Sequence, residues 1–148
     1  MPIITGPITL GGAVVDVLVG VDDARIRLLR KHGLPVPTSR HVRAMVDTGA
    51  SLSGFDQAVF TSLGLTPTRQ RPVATPSTPT GAPFMAAEFY VRLSLVAGGV
   101  AHPFKNAWVI AVTGFQPSEG FTGLIGRDVL DYCSFSYHGT AKHFEFSF

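Results

Sequence analysis

Short apolar runs rich in β-branched and aromatic residues, broken by glycine and proline, recur along the whole chain. The last run shows its period most clearly. Phe144, Phe146 and Phe148 alternate with polar residues, the two-residue repeat of a strand with one buried face. Earlier in the chain, residues 3–10, the pair Gly11-Gly12 and residues 13–21 read as a first hairpin, the glycines supplying the positive φ angles of a tight turn. Residues 22–32 place Ile26, Leu28 and Leu29 among basic side chains and predict a short helix capped by Gly33. Leu34-Pro35-Val36-Pro37 predicts an extended linker, because proline restricts itself and its neighbour.

Residues 40–46 form the next expected strand, which ends at Asp47. Residues 56–63 predict a short helix closed by Gly64. Residues 69–76 are extended, 77–81 turn, and 84–96 form a long strand. Gly98-Gly99 turns that strand into a second one over 100–112. Residues 114–120 are a loop, Leu124-Ile125 a very short buried strand, and 127–132 a short helix. A hairpin of residues 133–137, a turn at His138-Gly139-Thr140 and residues 142–148 close the chain. Many short strands separated by turn signals define an all-β barrel or sandwich with a few short helices.

Composition narrows the class. At 148 residues the chain is expected to form one domain, over 1–148, with 22–37 as an insertion and 133–148 as a C-terminal hairpin. Hydrophobic residues make up 45% and charged residues 15%, which excludes a disordered chain. Cys133 is the single cysteine, which excludes a disulfide scaffold; it reads as a buried, inert thiol. The apolar runs are too short to cross a bilayer and no secretory signal is visible, so a cytoplasmic protein without a membrane partner is expected.

The net charge of +2 changes little. Arg25, Arg27, Arg30 and Lys31 cluster, but no aromatic residues interleave with them. The cluster therefore reads as a solvated helix face, and no nucleic-acid partner is expected. His32, His41, His102, His138 and His143 show no zinc-motif spacing. His138 and His143 flank a turn and read as exposed hairpin positions, so neither a metal site nor a cofactor is expected. Asp128 and Asp131 read as cap or surface acids near Arg127. Trp108 and the phenylalanines read as core or interface.

The stretch with chemistry in it is Ala44-Met45-Val46-Asp47-Thr48-Gly49-Ala50-Ser51. An apolar strand delivers one carboxylate into a turn. Thr48 can bond locally, and Gly49, without a Cβ, admits close approach of another backbone. A carboxylate held this way suits acid–base work. The plainer alternative is an Asx turn, in which the aspartate only bonds its own backbone.

This stretch resembles the active-site signature of aspartic proteases. Gly123-Leu124-Ile125-Gly126-Arg127-Asp128 resembles the apolar-apolar-Gly strand and following helix of retroviral-type enzymes. The order of signature, hairpin, apolar-apolar-Gly and helix is that of a single-domain retropepsin, and residues 42–131 carry it. The chain is most similar to the bacterial retropepsin-like proteins. The resemblance implies a closed barrel with a flap hairpin and one or two short helices. It implies that Asp47 is the catalytic aspartate, that Thr48 braces two loops across a dimer, and that the Gly49 carbonyl meets the substrate backbone. Ala50 and Ser51 complete the active-site loop. The segment 73–84 takes the flap's place, with Thr75, Ser77, Thr78 and Gly81 at or near its tip. Leu124, Ile125, Gly126 and Arg127 support the site. Many retroviral enzymes carry an acid two positions after the signature glycine, paired with the late arginine. Ser51 stands there, so Arg127 needs another partner.

The chemistry this resemblance implies needs two carboxylates sharing one proton, because close like charges cannot both ionise. The chain has seven aspartates, and only Asp47 is followed by Thr-Gly or Ser-Gly. One chain therefore holds half a site, and a two-fold homodimer supplies the other half. The expected activity is hydrolysis of an extended polypeptide. The alternative is a non-catalytic or latent module that keeps the fold to bind peptide or to dimerise.

Overall fold

The computed structural model describes residues 1–75 and 78–148. In chain order the elements are β1 (Ile3–Pro7), β2 (Val14–Val21), α1 (Asp23–Lys31), β3 (Arg40–Val46), β4 (Gly54–Asp56), α2 (Gln57–Ser62), β5 (Arg69–Val73), β6 (Phe84–Ala97) and β7 (Val100–Val112). A 3-10 turn (Pro117–Glu119), β8 (Gly123–Ile125), α3 (Arg127–Leu130), β9 (Ser134–His138) and β10 (His143–Ser147) follow. One sheet runs β2-β3-β8-β4-β7-β6-β5, and β2 also pairs with β6. Six strands thus close on themselves, and β5 is carried outside the ring by β6. The result is the all-β closed barrel expected from the sequence.

The length of β6 makes this possible. Its first residues pair with β5, from Phe84↔Val73 to Glu88↔Arg69. Its later residues pair with β2, from Val91↔Val21 to Leu95↔Val17. Strand alternation then turns Val15, Val17 and Val19 of β2 and Val91, Leu93 and Leu95 of β6 inward, all within 2% of complete burial. Each such side chain contributes about 1.5–3 kcal/mol on burial. Phe60 of α2 stacks on Phe89 with centroids 4.0 Å apart, and Phe55 meets Phe60 edge-on. These rings are buried in the core.

The first hairpin does not form as expected. Thr9 and Gly12 do exchange backbone hydrogen bonds, but the flanking strands part company. β1 pairs with β10 instead, in a separate sheet ordered β1-β10-β9. Gly6 explains part of this choice: a Cβ there would lie 2.8 Å from the Phe144 ring, so glycine lets that ring pack flat against β1. Phe144 and Phe146 are buried, as their spacing predicts.

All three expected helical segments form, so the barrel carries three short α-helices where the resemblance implied one or two. Asp22 caps α1 by accepting from the Ala24 and Arg25 amides, and Arg30 and Lys31 sit in its last turn, where positive charge opposes the helix dipole. No residue of α1 is buried, so its basic side chains are a solvated face. No helix among the described residues is long and apolar enough to cross a membrane. Of the two readings offered for Trp108, core or interface, the first does not hold. Trp108 is 36% exposed, lies against Tyr90 and sits under the Arg69 guanidinium, 4.6 Å from the ring centroid.

Candidate active site

Asp47 follows the last residue of β3. That strand pairs in parallel with β8, in the register Ala44↔Gly123, Met45↔Leu124 and Val46↔Ile125. The Asp47 amide continues the ladder by donating to the Ile125 carbonyl at 2.9 Å. The two sequence motifs are thus brought side by side. Leu124 and Ile125 fix the strand from which the aspartate emerges, and Gly126 and Arg127 face the turn it enters.

The turn is tight. The Gly49 amide donates to Asp47 Oδ1 at 2.9 Å, and the Ala50 amide donates to the Asp47 carbonyl at 3.2 Å. This is the Asx turn that the sequence offered as the plainer alternative. It fixes the carboxylate rotamer and does not consume the group: Oδ2 stays available, and Asp47 is only half-buried. Thr48, Gly49 and Ser51 are exposed, and the Thr48 hydroxyl has no partner among the described residues of its own chain.

Arg127 finds its partner in backbone. Its Nη1 donates to the Thr48 carbonyl at 3.0 Å and to the Gly49 carbonyl at 3.2 Å. A guanidinium tying down two carbonyls does the bracing that the acid absent at Ser51 would have shared. The Gly49 carbonyl keeps a second lone pair for another donor. The Arg127 amide donates to the Ala50 carbonyl at 2.9 Å, so one residue holds three successive carbonyls of the turn.

Gly126 is required by close approach. A Cβ there would lie 2.6–3.0 Å from the Leu52 backbone and the Ala50 carbonyl, distances that no ordinary residue tolerates. Its amide donates to Ser53 Oγ at 3.0 Å. Ser53, fully buried, in turn donates from Oγ to Asp128 Oδ1 at 2.8 Å, and its own amide donates to the same oxygen at 2.9 Å. Asp128 is therefore a half-buried support of the loop, not the cap or surface acid expected. The sequence reading missed Ser53 altogether. A small polar residue just before a short apolar strand was its only mark.

Thr75, Thr78 and Gly81 lie together in the connection between β5 and β6. The Thr78 amide donates to the Thr75 carbonyl at 2.9 Å, and the two threonine hydroxyls are 2.8 Å apart. Gly81 has φ +78°, a left-handed conformation suited to glycine. Ser77, assigned to the same tip, lies outside the described residues. At the root of this hairpin the sequence reading missed Glu88. Its carboxylate is fully buried and is held by Arg69 at 2.7 Å and Arg71 at 3.2 Å.

Cys133 Sγ donates to the Val129 carbonyl at 3.3 Å. Burial pushes its thiol up to about 11, partly offset by nearby Lys105. Read from the sequence as buried, it is half-buried. The cavity lined by Val21, Ile26, Val36 and Arg92 lies beside α1 and includes no residue of the Asp47 turn.

A closed barrel that sets an Asp-Thr-Gly turn beside a Gly-Leu-Ile-Gly-Arg segment matches what the comparisons find. The family model described as aspartyl protease matches residues 37–129, well over half of the sequence, and the chain belongs to that family. Among solved structures it is similar to a retropepsin-like aspartic protease from Rickettsia conorii, with a TM-score of 0.58 and 20% identity over 99% of this chain and 90% of that one. A more distant similarity, with a TM-score of 0.39 and 16% identity over 81% of this chain and 86% of that one, is to the EIAV protease in an inhibitor complex. No curated protein matches the sequence. The fold is retropepsin-like.

Proposed function

We propose that this chain is an aspartic endopeptidase that works as a homodimer, with Asp47 of each copy contributing one carboxylate to a shared site. The observation that carries this reading is the Asp47 turn itself. Its carboxylate is fixed through one oxygen by the Gly49 amide, open on the other, and seated on a backbone held by β8 and Arg127. Such restraint is the preorganisation that proton transfer demands.

In this mechanism one Asp47 carboxylate takes a proton from a water while the water oxygen attacks the scissile carbonyl carbon. The other Asp47, protonated, gives its proton to the carbonyl oxygen, and a neutral tetrahedral diol results. Collapse of the diol breaks the C–N bond as the protonated carboxyl gives its proton to the leaving nitrogen and a diol hydroxyl returns a proton to the other carboxylate. The pair ends with one proton, as it began. The substrate binds as an extended strand beneath the 73–84 hairpin, which closes over it and excludes water. Thr48 braces the two turns against each other across the dimer axis.

Purified wild-type chain and its Asp47→Asn variant, incubated with a denatured protein, test the reading. Cleavage by wild type alone, with both proteins folded, is the expected result. Equal cleavage by both removes Asp47 from the chemistry. No cleavage by either, at concentrations where the chain is dimeric, favours the non-catalytic module.

A further inference from the structure

Outside the Asp47 turn, the C-terminal hairpin brings together three side chains whose positions in sequence do not suggest it. β9 and β10 pair in antiparallel register with His138 directly opposite His143. Their imidazoles stack, with centroids 4.5 Å apart and planes 17° from parallel. Glu145 lies two residues beyond His143 and so projects from the same face of β10. Its Oε1 is 4.0 Å from His143 Nε2, and one ligand atom from each of the three residues falls within 4.8 Å of the others.

We infer that His138, His143 and Glu145 form a surface binding site for a divalent transition ion of the zinc class. Two imidazoles with one carboxylate suit zinc, copper or nickel, whereas calcium and magnesium prefer oxygen ligands alone. Tetrahedral zinc with bonds near 2.1 Å needs ligand atoms about 3.4 Å apart. Small rotations of these accessible side chains close the present spacing to that value. The scaffold beneath does not have to move. Phe144 and Phe146, on the opposite face of β10, are buried in the core and hold the strand in place. Three protein ligands leave a fourth position for water or for a group from another molecule.

The site is independent of the peptidase reading, and its test does not depend on cleavage. Untagged chain is titrated with zinc by calorimetry, and cobalt is used in parallel as a spectroscopic probe. One ion per chain is expected, with visible cobalt bands of a four-coordinate site. Replacing either ligand, as in His138→Ala or His143→Ala, should weaken binding roughly tenfold or more. Glu145→Gln should weaken it in the same direction, while His32→Ala and Asp47→Asn should leave it unchanged. Circular dichroism checks that each variant remains folded. Absence of zinc binding by wild type, or equal binding by the folded double variant H138A/H143A, would overturn the inference.

Discussion

Replacing Ser53 by alanine removes one oxygen atom and disconnects the two halves of the Asp47 support. Ser53 Oγ accepts from the Gly126 amide and donates to the Asp128 carboxylate, and the residue is fully buried. In Ser53→Ala the Gly126 amide is left without its partner in a site that water does not reach, at a cost of about 1–3 kcal/mol. The lost bond to Asp128 adds about 1 kcal/mol, the ordinary net worth of one hydrogen bond, because the Ser53 amide still donates to the same oxygen. The sum is about 2–4 kcal/mol. Urea denaturation reads this as a midpoint lowered by roughly 1–2 M at an ordinary slope for a chain of this size. Thermal melting reads it as a Tm lowered by roughly 4–16 °C. Ser51→Ala, two residues away and exposed, serves as the control and should stay within about 0.5 kcal/mol of wild type. If Ser53→Ala were as stable as Ser51→Ala, the Gly126–Ser53–Asp128 link would not be holding the loop.

Two further outcomes follow from buried charge and a half-buried thiol. Removing both guanidinium partners in Arg69→Ala/Arg71→Ala strands the fully buried Glu88 carboxylate and should cost about 3–5 kcal/mol, whereas Glu88→Gln leaves two exposed arginines that return to water and should cost about 1–2 kcal/mol; urea midpoints in the reverse order would contradict this. For Cys133 the folded thiol value is raised from 9.0 to about 11, so its contribution to stability is present below pH 9 and is lost as pH rises toward 11. At mildly alkaline pH iodoacetamide should label the native chain far more slowly than the urea-unfolded chain, and equal labelling rates would show that the thiol is not desolvated.

The parts of this molecule that sequence made legible are local ones. The Asp47 turn could be read because an apolar strand, Asp-Thr-Gly and two small residues are contiguous. The inward face of β10 could be read because Phe144 and Phe146 repeat at the strand period. What escaped is set by pairing between distant segments. β1 carries a turn signal toward β2, yet its partner is β10, a pairing in which Phe144 packs closely on Gly6. Asp128 had the pattern of a helix-end acid until the pairing of β4 with β8 brought Ser53 against it. The strongest missed signal was Glu88, an acid inside an apolar strand that faces a partner strand carrying Arg69 and Arg71. His138 and His143 were read by spacing alone, and spacing does not show that antiparallel register stacks them.

The central claim is that two copies of Asp47 make one site. Mixing the wild-type chain with a growing excess of Asp47→Asn, after subunit exchange, tests it directly. In a mixed dimer the wild-type Asp47 faces an asparagine and has no partner to share a proton with. Activity per wild-type chain should therefore fall in proportion to the wild-type fraction, as active dimers are replaced by mixed ones. Sedimentation alongside confirms that the chains are paired. Activity per wild-type chain that stays constant at every mixing ratio would mean that one chain carries a complete site, and the shared-carboxylate account would be wrong.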